Sequence, residues 1–166
     1  MNSIDYYNSI SKSYEKLYKA EQIEKLIFIS AFLNLIKAKE VLDVGAGTGL
    51  LEELNPHISF TVLEPSRGML NILESKKLKN IKDICNCKLE DFQMNKKFDA
   101  VTSVTVLQDI EEKDRINFIY KLLRLGTFVI LTFLKASNIR IPEELTKYLL
   151  LNKEISNDYV FIFKGI

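Results

Sequence analysis

The sequence predicts an α/β protein, a doubly wound and mostly parallel sheet of about six or seven strands with helices on both faces and an antiparallel last strand. Three observations carry this. Short apolar runs alternate with helical stretches from residue 40 onward, a buried strand runs straight into Gly45, Gly47 and Gly49, and helical periodicity precedes the first strand.

Taken in order, Ile4, Tyr7, Ile10, Tyr14 and Leu17 recur at spacings of three and four, as do Ile23, Leu26, Ile27 and Phe32, which predicts one or two amphipathic helices before Lys39. Strands are expected at Glu40 to Val44, Ile58 to Glu64, Asn80 to Ile84, Phe98 to Val104 and Thr127 to Phe133, all read as buried. Helices fall between them at Leu50 to Leu54, Ser66 to Lys77 and Lys113 to Leu125. Pro142 suits the first turn of a helix running through Leu151, and Asp158 to Lys164 makes a closing strand. Lys153 to Ile166 is short for two full strands, so a terminal hairpin is expected to be trimmed.

Composition narrows the function. With 166 residues, 47% hydrophobic and 27% charged, the chain reads as one domain, 1–166, made of N-terminal helices over 1–39 and a core over 40–166. Lys+Arg 23 against Asp+Glu 22 leaves a formal charge of +1, too little to gather nucleic acid or an anionic membrane. Cys85 and Cys87 are too close for an ordinary structural bridge, and with the lone His57 they cannot complete a zinc site, so no metal is expected. The first residues lack a signal-peptide apolar core, and the run Leu26 to Ile36 is too short to span a bilayer. A reducing cytoplasm is the expected setting.

The sharpest feature is Val41-Leu42-Asp43-Val44-Gly45-Ala46-Gly47-Thr48-Gly49-Leu50. Glycines allow a tight turn and close approach of a ligand to the backbone at the carboxyl edge of the sheet. Taken alone, the loop is also consistent with a plain strand-to-helix turn. A dinucleotide fingerprint needs Gly-x-Gly-x-x-Gly, but Leu50 stands where its third glycine belongs, and Asp43 would repel a pyrophosphate while attracting an ammonium or sulfonium. The second predicted strand ends in Glu64, nineteen residues after Gly45, where such folds place an acid on ribose hydroxyls. Viewed alone Glu64 is equally a solvated strand-end charge; the two features together favour a nucleoside cofactor.

Val41 to Gly49, the strand ending in Glu64, and Phe98-Asp99-Ala100-Val101-Thr102-Ser103-Val104-Thr105-Val106-Leu107 together resemble class I S-adenosylmethionine-dependent methyltransferases. Within that superfamily the chain looks like the small Rossmann-like type related to ubiquinone/menaquinone-biosynthesis methyltransferases. The resemblance implies that Gly45, Ala46 and Gly47 line the methionine part of S-adenosylmethionine, with Asp43 near its amino group. It implies that Glu64 holds the ribose and Pro65 lies against the adenine, flanked by Lys88 and Leu89, with Glu90 a partner for the adenine amino group. Ser103, Val104 and Thr105 are expected beneath the methionine, and S-adenosylhomocysteine is the expected product. The chain departs from the family in keeping only Gly126 of a Pro-Gly-Gly turn and in lacking a histidine at Gln108 or Asp109.

The acceptor is less defined. A sulfonium activates its own methyl group, so positioning does much of the chemistry and a base is optional. Asp109, Glu111, Tyr14 and Asp158 are candidate bases, each better suited to a structural or solvated role, so the catalytic residue stays unassigned. Tyr6, Tyr7, Tyr14 and Tyr18 form a lid or belong to the core, with Tyr14 counted toward the cofactor site; Gln108 and Lys135 are further acceptor candidates. The Asn/Asp-Pro-Pro-Tyr signature and a basic stripe are both absent, which favours a small-molecule acceptor. A protein or RNA acceptor brought by a partner, a non-catalytic cofactor-binding subunit and a homodimer remain open.

Overall fold

The computed structural model describes residues 2–166 of the chain. Two helices, α1 (Ser3–Ile10) and α2 (Tyr14–Leu35), precede β1 (Glu40–Val44), α3 (Leu50–Leu54), β2 (Ser59–Leu63), α4 (Arg67–Ser75) and β3 (Ile81–Cys85). Then come β4 (Phe98–Val104), α5 (Glu112–Leu125), β5 (Gly126–Leu134), β6 (Leu149–Ile155) and β7 (Asp158–Lys164). The seven strands form one sheet in the order β3-β2-β1-β4-β5-β7-β6. The first five are parallel, and β7 runs antiparallel to both β5 and β6. Strand order reverses between β1 and β4, the switch point at which such sheets open a crevice at their carboxyl ends.

Burial on both faces explains the apolar strands. Leu42, Val101 and Leu131 pack with Phe118, Ile119 and Leu122 of α5, while their neighbours Val41, Ala100 and Ile130 pack with Leu26, Ile29 and Leu33 of α2. Asp99 fixes the entry to β1, its Oδ2 accepting from the amides of Lys39 (2.8 Å) and Glu40 (3.0 Å). The Ser66 hydroxyl caps α4 by accepting from the Met69 amide at 3.2 Å.

Three expectations are corrected. Residues 142–151 do not form one helix: a 3₁₀ segment, Glu143–Tyr148, gives way to β6, because the residues after it pair with β7. The terminal hairpin is therefore complete, turning through Ser156, whose φ is +51°. The strand near Asn80 is not buried, since β3 is an edge strand with Lys82, Asp83 and Ile84 exposed. The reduced Pro-Gly-Gly turn has a simple outcome, as α5 passes directly into β5 at Gly126 in an extended conformation.

One ion pair lies deep in the interior. Lys25 of α2 and Asp158 at the start of β7 are bonded with side chains only 1% and 0% exposed, and the Lys25 Nζ also donates to the Thr105 hydroxyl at 2.9 Å. Removing one partner strands a buried charge, so Lys25→Met or Asp158→Leu should each cost about 3–5 kcal/mol in urea denaturation. The double variant Lys25→Met/Asp158→Leu should recover most of that loss; full additivity of the two single losses would contradict the pairing.

Candidate functional site

The crevice begins where β1 ends. Gly45, Gly47 and Gly49 have φ of +80°, +59° and +82°, backbone that other residues adopt only with strain. Gly45 has a second reason to be glycine, because a Cβ there would lie 2.4 Å from the Val106 Cγ2. Its amide and that of Ala46 donate to the Leu63 carbonyl at 2.8 and 3.1 Å, which ties the loop to the end of β2.

Glu64, 6% exposed, stands at that strand end. Its Oε2 accepts from the Gly47 amide at 2.8 Å and its Oε1 from the Ser66 amide at 2.7 Å. Each oxygen keeps a further lone pair for a hydroxyl donor. Burial pushes the carboxyl up to about 7, against the lowering effect of the two amides. On β1, Asp43 is 3% exposed and its Oδ1 accepts from the Thr102 hydroxyl at 2.5 Å; burial pushes it up to about 6.

A cavity of about 500 Å³ opens over these groups, within the range of small-molecule sites. Pro65, Lys88, Leu89 and Glu90 line it beyond Glu64, the last two on a short 3₁₀ turn, Leu89–Asp91. Asn86 braces that side, its Nδ2 donating to the carbonyls of Glu64 (2.8 Å) and Pro65 (3.1 Å). The cysteines flanking Asn86 correct the sequence reading: Cys85 and Cys87 are joined in a disulfide, since the chain bends after β3 and brings their Cα atoms to 5.3 Å, within bridging reach. The expectation of a reducing compartment loses the support of unpaired thiols.

Across the cavity stand α1 and the turn after β4. The Tyr7 hydroxyl donates to the Asp109 Oδ2 at 3.1 Å, and burial together with that carboxylate raises the phenol. Tyr14 is pushed up to about 12 by burial and then by the Glu64 charge. Thr105 ends β4 with φ +59°, an unusual conformation for a β-branched residue, held by its amide donating to the Thr132 carbonyl (3.1 Å) and hydroxyl (2.9 Å).

The cavity gathers Tyr14, Gly45, Gly47, Glu64, Pro65, Lys88, Leu89, Glu90 and Val104. Asp43 and Ala46 border a smaller recess of about 40 Å³ behind the loop. Ser103 lines neither and is fully buried, whereas its neighbours Val104 and Thr105 line the cavity. Tyr7, Met69, Val106 and Phe118 also line the wall without having been assigned to the site. Of these, only Tyr7 had a signal, in its tyrosine neighbours. The candidate bases separate too: Asp109 and Glu111 reach the cavity, whereas Asp158 is spent on Lys25. Gln108 donates to the Thr105 carbonyl at 2.7 Å, and Lys135 pairs with Glu154 at 3.1 Å on the hairpin. Among the described residues no group of His, Cys, Asp and Glu could hold a metal ion, and no helix is long and apolar enough to cross a membrane.

A glycine loop at the switch point, an acid at the next strand end and a cavity over both define a nucleotide-type ligand site on an α/β sheet. The family described as the methyltransferase domain matches residues 41–126, and the chain belongs to it. It is 24% identical over 128 residues to the mitochondrial ubiquinone biosynthesis O-methyltransferase of Schizosaccharomyces pombe, an alignment taking in 68% of this chain and 47% of that protein. The chain thus spans about half the length of that curated relative. In fold it is similar to magnesium protoporphyrin IX methyltransferase from Synechocystis with bound SAH, with a TM-score of 0.77 at 15% identity over 98% of this chain and 97% of that one. A TehB-like SAM-dependent methyltransferase from Corynebacterium glutamicum gives 0.74 at 13% identity, over 95% and 99% of the two chains.

The raised Glu64 carboxyl yields a signed prediction. The folded state holds its proton up to about pH 7 while the unfolded chain releases it near 4.5, so this group's contribution to stability declines as pH rises between those values. The stability of the wild type relative to Glu64→Gln should therefore shrink from pH 4.5 to 7.5 in urea denaturation; a widening gap would contradict the assignment. Gly45→Ala, which forces a Cβ onto Val106, should destabilise the fold by roughly 1–3 kcal/mol, and Gly45→Ala/Val106→Ala should regain part of it.

Proposed function

We propose that residues 1–166 act as one S-adenosylmethionine-dependent methyltransferase domain with a small-molecule acceptor. The observation that carries this reading is the Glu64 carboxylate, bound to the glycine loop by one oxygen and to the start of α4 by the other, at the edge of the cavity. The residues fit such a group. Gly45 and Gly47 bring bare backbone to the cavity wall, Glu64 retains lone pairs for ribose hydroxyls, Pro65 and Leu89 offer apolar surface to a base, and Asp43 lies behind the loop toward an amino group.

S-adenosylmethionine supplies an electrophilic methyl group on a sulfonium. The protein's part is to hold an acceptor atom in line with it and to exclude water. Ile4, Ile110 and Phe118 give the acceptor end an apolar wall, and Tyr7 with Asp109 gives it one hydrogen-bonding pair. Asp109, partly open to solvent and pushed up by burial, is placed to accept a proton from an acceptor hydroxyl or amine. A small acceptor is further supported by the absence of a charge excess that would gather nucleic acid.

Calorimetry should detect S-adenosylhomocysteine but not NAD. A ligand at about 100 times its dissociation constant should raise stability by roughly 2.7 kcal/mol. Glu64→Ala should weaken binding at least about tenfold through loss of charged hydrogen bonds. NAD binding in place of S-adenosylhomocysteine, or an unchanged affinity in Glu64→Ala, would overturn the reading. Incubating the protein and labelled S-adenosylmethionine with small-molecule extract fractions should label an acceptor.

A further inference from the structure

Behind the glycine loop two acids meet. Glu52 of α3 is fully buried, and neither carboxyl oxygen finds an N–H or hydroxyl donor among the described residues. Its hydrogen-bonding neighbour is the side chain of Asp43 on β1. Asp43 in turn borders the recess behind Gly45 and Gly47 and is bonded from β4 by Thr102. Among the described residues no cation is bonded to the pair. Lys25 of α2 is committed to Asp158 and Thr105, and Lys76 after α4 binds Glu15 and Glu53, acting on Glu52 only through space. Tyr14 and Gln22 of α2 face the recess without charge, and Glu64 from β2 adds a further negative group nearby.

Two buried carboxyls a hydrogen bond apart cannot both be ionised. A single shared proton satisfies both, turning one into the donor the other lacks. We propose that Glu52 is a positioning residue that keeps this proton and presents Asp43 as the one negative charge under the glycine loop, where it receives the ammonium group of an amino-acid-bearing cofactor. The cofactor assignment rests on the proposed function; the shared proton does not. At mildly acidic pH the pair holds two protons, and an arriving ammonium displaces the second from Asp43 to solvent. Loop occupancy is thereby linked to proton release. Burial raises Asp43 to about 6, and burial followed by the Asp43 charge raises Glu52 well above the usual carboxylate value.

The full-length protein tests this with two probes that share the adenosine part, S-adenosylhomocysteine and 5′-methylthioadenosine, of which only the first carries an ammonium. Both engage Glu64, so its proton cancels in the comparison. Calorimetry at pH 6 in buffers of differing ionisation enthalpy should show more protons released by S-adenosylhomocysteine. Its affinity relative to methylthioadenosine should fall about tenfold from pH 7 to pH 5. Glu52→Gln, a permanent neutral stand-in for the protonated acid, should keep the wild-type profile, whereas Glu52→Leu, which removes the donor, should move it to higher pH and lower that relative affinity at pH 7 by about threefold or more. If Glu52 merely fills space, the Glu52→Leu profile stays as in the wild type, and that result, or equal proton release by the two probes, overturns the proposal. Carboxyl carbon-13 spectra of the ligand-free protein decide the shared proton separately. Glu52 should remain protonated at pH 7 with Asp43 titrating below it, and two ionised carboxylates at pH 7 would overturn the proposal even if neither probe binds. Absence of binding by both probes with the proton present would instead sink the methyltransferase reading.

Discussion

The Glu64 carboxylate joins two chain segments that would otherwise diverge. One oxygen holds the Gly47 amide and the other the Ser66 amide, so the turn after β1 and the turn after β2 are fixed to a single side chain. The loop's positive-φ conformation, the start of α4 and the braced segment after β3 are all arranged around that group. Asn86 completes it by donating to the Glu64 and Pro65 carbonyls. A ligand meeting this edge finds donors and acceptors already ordered, which lowers the entropic cost of binding.

The same edge is closed from the other end of the sequence. Asn8 of α1 accepts from the Ser66 hydroxyl at 2.9 Å and from the Gly68 amide at 2.7 Å, and so docks the first helix on the start of α4. Tyr7, one residue earlier, reaches Asp109 after β4. The N-terminal helices therefore form a wall of the cavity, which accounts for tyrosines at helical spacing that face a cavity instead of a core.

Strands buried on both sides were legible because their sequences carry no competing pattern. Glu40–Val44 and Phe98–Val104 coincide with their expected bounds, as does the closing strand Asp158–Lys164. The glycine loop was visible because a positive-φ turn demands particular residue types at particular spacings, and Glu64 because it ends the next strand's apolar run. What was missed lies at the edges or depends on distant contacts. β6 has the sequence Leu-Leu-Leu-Asn-Lys-Glu-Ile, and its central residues are exposed, so no alternation announces it. Ser103 is fully buried beside Val104 and Thr105, which line the cavity. The Cys85–Cys87 bridge depends on a bend after β3 that neither cysteine encodes. Glu52 carried no signal in the sequence, and only the fold buries it beside Asp43.

The bond between Lys25 and Asp158 spans 133 positions of sequence. A chain emerging from the ribosome exposes the Lys25 ammonium long before its partner exists, and α2 cannot bury that charge until the last strand arrives. Contacts of such separation slow folding, because loop closure must precede the gain. The cavity edge at Thr105 is tied through Lys25 to the start of β7, so that edge is set by a strand far from it in sequence.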